Sequence, residues 1–148
     1  MHPQRGSTLL ELVTVMAIGA VLCAIAVPGA AAVRSVFVTD AAADRLALVL
    51  RAAQARAQAQ SSVVRVSVAG DGNYVVCDIG SSGQRALARG DLGADIDSNY
   101  PLGTLEFGAA GWPRLPGAAA PRAGHFTIGS STTARIVIVQ LGGCVRCT

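Results

Sequence analysis

The chain has 148 residues, of which 51 % are hydrophobic and 14 % charged, with every basic residue an arginine and a net charge of +3. That length limits it to one globular domain of ordinary small size, and the charge is too weak to argue nucleic acid by itself, since such binding shows a clustered basic face. The composition permits DNA without requiring it.

The first element is the most informative. Gly6-Ser7-Thr8-Leu9-Leu10-Glu11 leads into an apolar run to Val27, followed by Pro28. Leu9 to Val27 is about nineteen residues, enough for a helix to cross a roughly 30 Å hydrocarbon core, with Glu11 and Thr14 its clearly polar members. His2 and Arg5 precede it and no positive cluster follows before Arg34, which keeps the short leader cytoplasmic and exports the rest. A carboxylate in such a segment is costly and is kept where a partner neutralises it.

A cleaved secretory signal, cut near Ala30-Ala31-Ala32, is one reading, and it leaves Glu11 without a role. The other is a leader that ends at Gly6, so that the apolar helix stays in the mature protein. This second arrangement resembles the class III leader of type IV pilins and pseudopilins. The resemblance implies that a prepilin peptidase cuts between Gly6 and Ser7 and methylates the new amine. It implies too that Glu11 meets the free N-terminal amine of a neighbouring subunit, two costly charges made tolerable as a pair. Pro28 sits where the family has a helix-bending proline, a residue that deletes a backbone donor and crowds the preceding turn. Ser7 stands where the first mature residue is usually phenylalanine.

Beyond Pro28, Leu46, Val49, Leu50, Ala53 and Ala57 recur at spacings of three and four, with Asp44, Arg45, Arg51 and Gln58 on other faces. The helix is expected to run to about Gln60. Fifty-odd residues span on the order of 80 Å, the first part in the membrane or filament core and the second packed under a sheet. The period then changes: Val64, Val66 and Val68 alternate with Arg65, Ser67 and Ala69, and Gly70-Asp71-Gly72-Asn73 supplies a turn before Tyr74 to Ile79, predicting a hairpin. Gly80 to Pro101 reads as loop or edge structure with a weak strand at Arg85 to Ala88. Thr104 to Phe107, Gly124 to Gly129 and Arg135 to Leu141 read as strands, the last nearly continuous in apolar residues and so central. Gly111 to Arg122 reads as a surface excursion with Trp112 packed beneath it. The expected fold class is α+β: one long N-terminal helix on a mainly antiparallel sheet.

Cys144-Val145-Arg146-Cys147 has C-x-x-C spacing, but a redox thiol begins a helix after a strand, whereas this pair ends the chain. A zinc site needs two further ligands, with Cys77 and His125 the available donors. In an oxidising compartment the expectation is a structural disulfide from Cys77 to Cys144 or Cys147, contributing about 2 to 4 kcal/mol. Cys23 reads as a small apolar residue of the span. His125 is the one histidine of the exported part, and no nucleophile motif, phosphate loop or metal pair accompanies it, so no catalytic residue, metal or cofactor is expected.

The whole layout resembles the GspH/FimT family of minor pseudopilins and minor pilins. The residues that carry the resemblance are the leader with Glu11, Leu50 to Arg56 in the helix, Val76-Cys77 in the hairpin, Leu105-Glu106-Phe107 to Gly111, and Arg135 to Val139. It implies a leader at 1–6, a membrane or filament-core helix at 7–33 and a periplasmic head at 34–148, in a single-pass inner-membrane protein with a cytoplasmic N-terminus. Its implied partners are other pilins or pseudopilins and prepilin peptidase. Its implied function is a nonenzymatic subunit of a type II secretion pseudopilus or type IV pilus. Some members bind DNA for natural transformation through a C-terminal Gly-Arg-x-Arg motif. Here Gly143-Cys144-Val145-Arg146 keeps one of the two arginines, and Arg146 with Arg135 and Arg122 makes the candidate surface for double-stranded DNA, tested by whether the three cluster.

Overall fold

The structure, a computed structural model, describes residues 9–80, 83–130 and 133–148, with the side chains of 26–32 excepted. The chain divides into two units, Met1–Val36 and Phe37–Thr148. One helix, α1 (Leu9–Gln60), contributes to both.

In the first unit, the described side chains of α1 from Leu9 to Ile25 are almost all exposed, large apolar ones included. Thr14 Oγ1 donates to the Leu10 carbonyl at 2.7 Å, which satisfies that hydroxyl within its own helix. Among the described residues no helix is long and apolar enough to cross a membrane. The last residues of the expected span, 26 and 27, fall where side chains are not described, as does Pro28 with its expected kink.

In the second unit the alanine-rich face of α1 is the centre of the core. Ala42, Ala43, Leu46, Ala47, Leu50, Ala53 and Ala57 are buried, and Val49 packs at the margin, as the three-and-four spacing predicts. The small side chains let strands approach the helix closely. The helix stops at Ser61, whose φ of 49° is left-handed, while Ser62 N–H donates to the Ala57 carbonyl at 3.1 Å and so satisfies a terminal acceptor.

Two antiparallel sheets cover that face. The first has the order β3-β2-β1-β5-β6, built from β1 (Val63–Val68), β2 (Asn73–Gly80), β3 (Gly83–Asp91), β5 (Thr104–Phe107) and β6 (Pro113–Arg114). The second has the order β4-β7-β8-β9, from β4 (Ile96–Ser98), β7 (Gly124–Ile128), β8 (Arg135–Val139) and β9 (Val145–Cys147). Val64, Val66, Leu105 and Phe107 of the first sheet and Phe126, Ile128, Val137 and Val139 of the second are fully buried. The β1–β2 hairpin turns where Gly72 takes φ 86° and Asp71 accepts from the Asn73 backbone N–H at 3.0 Å.

Several expectations need correction. The antiparallel head is divided into two sheets, because β4, β7, β8 and β9 form a second ladder. Of the two readings of residues 80 to 101, edge structure holds over loop: β3, which contains the weak strand at Arg85 to Ala88, is longer than expected at nine residues, and β4 adds three, held by cross-strand pairing that overrides the weak propensity of glycine, aspartate and serine. β8 is internal, but one face is open, with Ile136 and Ile138 exposed between buried Val137 and Val139. Trp112 is 53 % exposed and so is not packed under its loop. β9 was not foreseen, since three residues carry too little period to read.

Candidate functional site

The candidate residues fall in three places. Gly6 and Ser7, the proposed processing site, lie outside the described residues. Glu11 is in the first turn of α1, on an exposed stretch of helix flanked by Leu9, Leu10 and Leu12. Apart from Pro28, whose side chain is not described, the remaining candidates belong to the head.

The three arginines do not form one surface. Side chains directly opposite each other on antiparallel strands share a face, and neighbours along a strand alternate. Val139 opposes Val145 and Val137 opposes Cys147 on the helix side, so Ile138 and its partner Arg146 lie on the other face, together with His125. Arg135 has the parity of Val137 and Val139, and its guanidinium grips Asp40 of α1, Nε to Oδ1 at 2.5 Å and Nη2 to Oδ2 at 3.3 Å. That hydrogen bond holds the Asp40 carboxyl below its usual range and raises Arg135. Arg122 precedes β7, where its backbone N–H donates to the Pro113 carbonyl at 2.7 Å and its carbonyl accepts from Tyr100 Oη at 3.2 Å.

No disulfide joins Cys77 to Cys144 or Cys147 in the structure, where all four cysteines stand unpaired. Cys77 opposes Arg65 on the face of the first sheet turned away from the helix core. Cys147 lies instead in a hollow on the helix side, lined by Asp40, Ala43, Asp44, Arg135 and Thr148. Burial, followed by the nearby Asp44 charge, pushes the Cys147 thiol up. Cys144 is exposed. No cluster of metal-ligating side chains occurs among the described residues.

The C-terminal hairpin and the turn before β6 are tied to the helix by long polar side chains that the sequence does not announce. Arg51 Nη2 donates to the Val145 carbonyl at 3.0 Å, and Gln54 Nε2 to the Gly111 carbonyl at 3.0 Å. Gly143 takes φ 83°, and a Cβ there would meet the Gln54 amide and the Gly111 carbonyl. Gln54 and Gln58, four residues apart and so on one helix face, were the available signal.

Glu106 is the second missed feature. It alternates with buried Leu105 and Phe107 and so points away from the core, yet it is only 2 % exposed. Arg65 donates to Oε1 twice, Nε at 3.0 Å and Nη2 at 2.7 Å. Arg114 Nε stands 3.4 Å from Oε2, an ion-pair distance without hydrogen-bond geometry, and the Gly117 backbone N–H reaches the same oxygen at 3.4 Å. This carboxylate draws the 113–117 segment onto the outer face of the first sheet.

Comparison with known proteins adds two findings. The prokaryotic N-terminal methylation motif matches residues 1–27. The structure is similar to the type IV minor pilin FimU of Pseudomonas aeruginosa in two crystal forms. One has TM-score 0.59 at 20 % identity and covers 74 % of this chain and 91 % of that chain; the other has TM-score 0.60 at 19 % identity and covers 74 % and 87 %. It is similar also to the minor pseudopilin EpsH from the type 2 secretion system of Vibrio cholerae, with TM-score 0.59 at 13 % identity over 74 % of this chain and 95 % of that chain. No curated protein matches the sequence.

Proposed function

We propose that this chain is a minor pilin or minor pseudopilin subunit, matured by a prepilin peptidase and built into a filament through its N-terminal helix. A methylation motif over residues 1–27 joined to the α+β pilin-like fold of FimU and EpsH supports the GspH/FimT-like minor pilin family, and that combination carries the reading. Such a motif implies a membrane-anchored subunit of a pilus or pseudopilus, and the fold is that of structural subunits, not enzymes.

In the proposed sequence of events the precursor sits in the inner membrane with its N-terminus cytoplasmic and its head periplasmic. Cleavage after Gly6 frees the Ser7 amine, which is N-methylated. On assembly the Glu11 carboxylate of one subunit pairs with the Ser7 amine of its neighbour, which sets the axial register, because either charge alone is costly in an apolar surrounding. Pro28 bends the helix where it leaves the core. The sheets then form the exposed head.

Between the two filament roles, assembly in a secretion pseudopilus or pilus is favoured over DNA capture. Arg135 is committed to Asp40, Arg146 faces the other way, and Cys144 replaces an arginine of the DNA-binding motif. The test is Glu11→Ala in cells that carry the assembly machinery. Cleavage should proceed and filament incorporation should drop at least about tenfold, the equivalent of losing about 1.4 kcal/mol of subunit contact. Normal incorporation would count against the pairing.

A further inference from the structure

The outermost strand of the first sheet is β3, nine residues long and exposed or half-buried at every position, and among the described residues no strand pairs with its outer edge. An edge of that length presents a row of unpaired backbone donors and acceptors. Behind it, between α1 and the β2–β3 ladder, runs a groove of about 330 Å³ lined by Val49, Ala52, Tyr74, Leu87, Ala88 and Arg56. The lining is apolar except at one point. Arg56 Nε is buried without a hydrogen-bond partner, and among the described residues no carboxylate forms an ion pair with its guanidinium.

The edge itself is basic. Arg85 opposes Asp78 on the helix side of the ladder and Arg89 opposes Val75 on the other face, with Leu87 between them at the register shift that falls opposite Val76 and Cys77. Two copies of this edge would bring arginines together, which discourages self-pairing. A strand that carries carboxylates meets the opposite condition on both faces, and one of its inward side chains reaches the groove.

We propose that the β3 edge and the groove behind it dock an extended acidic segment of another protein, added to the first sheet as a sixth strand. Its backbone pairs with β3, an apolar side chain fills the space between Val49 and Leu87, and a carboxylate takes the unpartnered Arg56, with Arg85 and Arg89 engaging the flanking acids. The inference rests on the head alone and holds whichever filament the subunit joins.

The test uses the full chain in zwitterionic detergent and a labelled nonapeptide of glutamates with valine at its centre, which puts carboxylates on both faces of the added strand and an apolar side chain at the groove. Binding should be saturable, should weaken with salt, and should slow amide exchange at residues 84–89. Arg56→Gln should weaken it about tenfold, as expected for loss of a charge-assisted contact, and an alternately N-methylated peptide should not bind. Wild-type exchange in α1 and β1 shows whether the variant is folded, and Arg89→Gln gives an independent weakening from the other face. The proposal is overturned by no binding at millimolar peptide, by equal binding of the same peptide with lysine for glutamate, by protection outside β3, or by concentration-dependent self-association that protects the same strand. It is overturned equally if duplex DNA displaces the peptide and protects β3 more strongly.

Discussion

Arg135 and Arg146 lie on opposite faces of the second sheet, and this separation bears directly on whether the head can hold DNA. A duplex lies against one surface, and its affinity grows with the number of phosphates neutralised there. Arg135 spends its charge on Asp40, and Arg146 stands beside Ile138 and His125.

Duplex DNA binding by the full chain is therefore expected to be weak, and Arg146→Ala and Arg135→Ala should each leave it within about twofold, because no phosphate-binding set is dismantled. Titrations at two salt concentrations check this. A salt slope that falls by about one on Arg146→Ala would instead mark Arg146 as a phosphate contact.

Glu106→Ala should destabilise the head by about 3 kcal/mol, the lower end for breaking a buried ion pair, since Arg65 and Arg114 keep some solvent. Urea unfolding reads the loss, and the 113–117 segment should become the first proteolytic site. Arg65→Met with Glu106→Met should recover part of the stability, because the penalty comes from charges left alone.

The element types were largely legible in the chain. The helix from the apolar run to Gln60 and the first hairpin follow from clear three-and-four and twofold periods, and Leu46, Leu50, Val64 and Val66 are core as those periods require. β3 was legible only as a weak strand at Arg85 to Ala88, and β4 and β9 not at all, because glycine- and aspartate-rich or three-residue strands exist through their partners and not through their own preference. The burial of Glu106 was likewise hidden. Alternation sends it outward, and only the returning 113–117 segment covers it. The candidate arginines could be named from the sequence, but which face each takes depends on strand register.

Tyr100 gives a pH dependence. Burial pushes its phenol up to about 12 from 10, so the unfolded chain releases that proton first as pH rises. The contribution is fully present below pH 10 and is lost progressively between about 10 and 12. Thermal melts across that window should fall for the wild type and fall less for Tyr100→Phe, which also gives up the hydrogen bond to the Arg122 carbonyl.

Gly143→Ala should cost about 2 kcal/mol, from a left-handed φ and a Cβ driven into the Gln54 amide. Gln54→Ala in the same chain should return the share owed to the Gln54 amide and leave the clash with the Gly111 carbonyl and the backbone strain, a difference that paired denaturation curves resolve.

The central claim is that the apolar helix is retained after cleavage at Gly6. Intact-mass and N-terminal analysis of the protein recovered from membranes that contain a prepilin peptidase tests it most directly. The account predicts a chain that begins at Ser7 with its amine methylated, and one left uncut by Gly6→Ala. A mature N-terminus near Ala32, or an unprocessed chain in the presence of the peptidase, would contradict it.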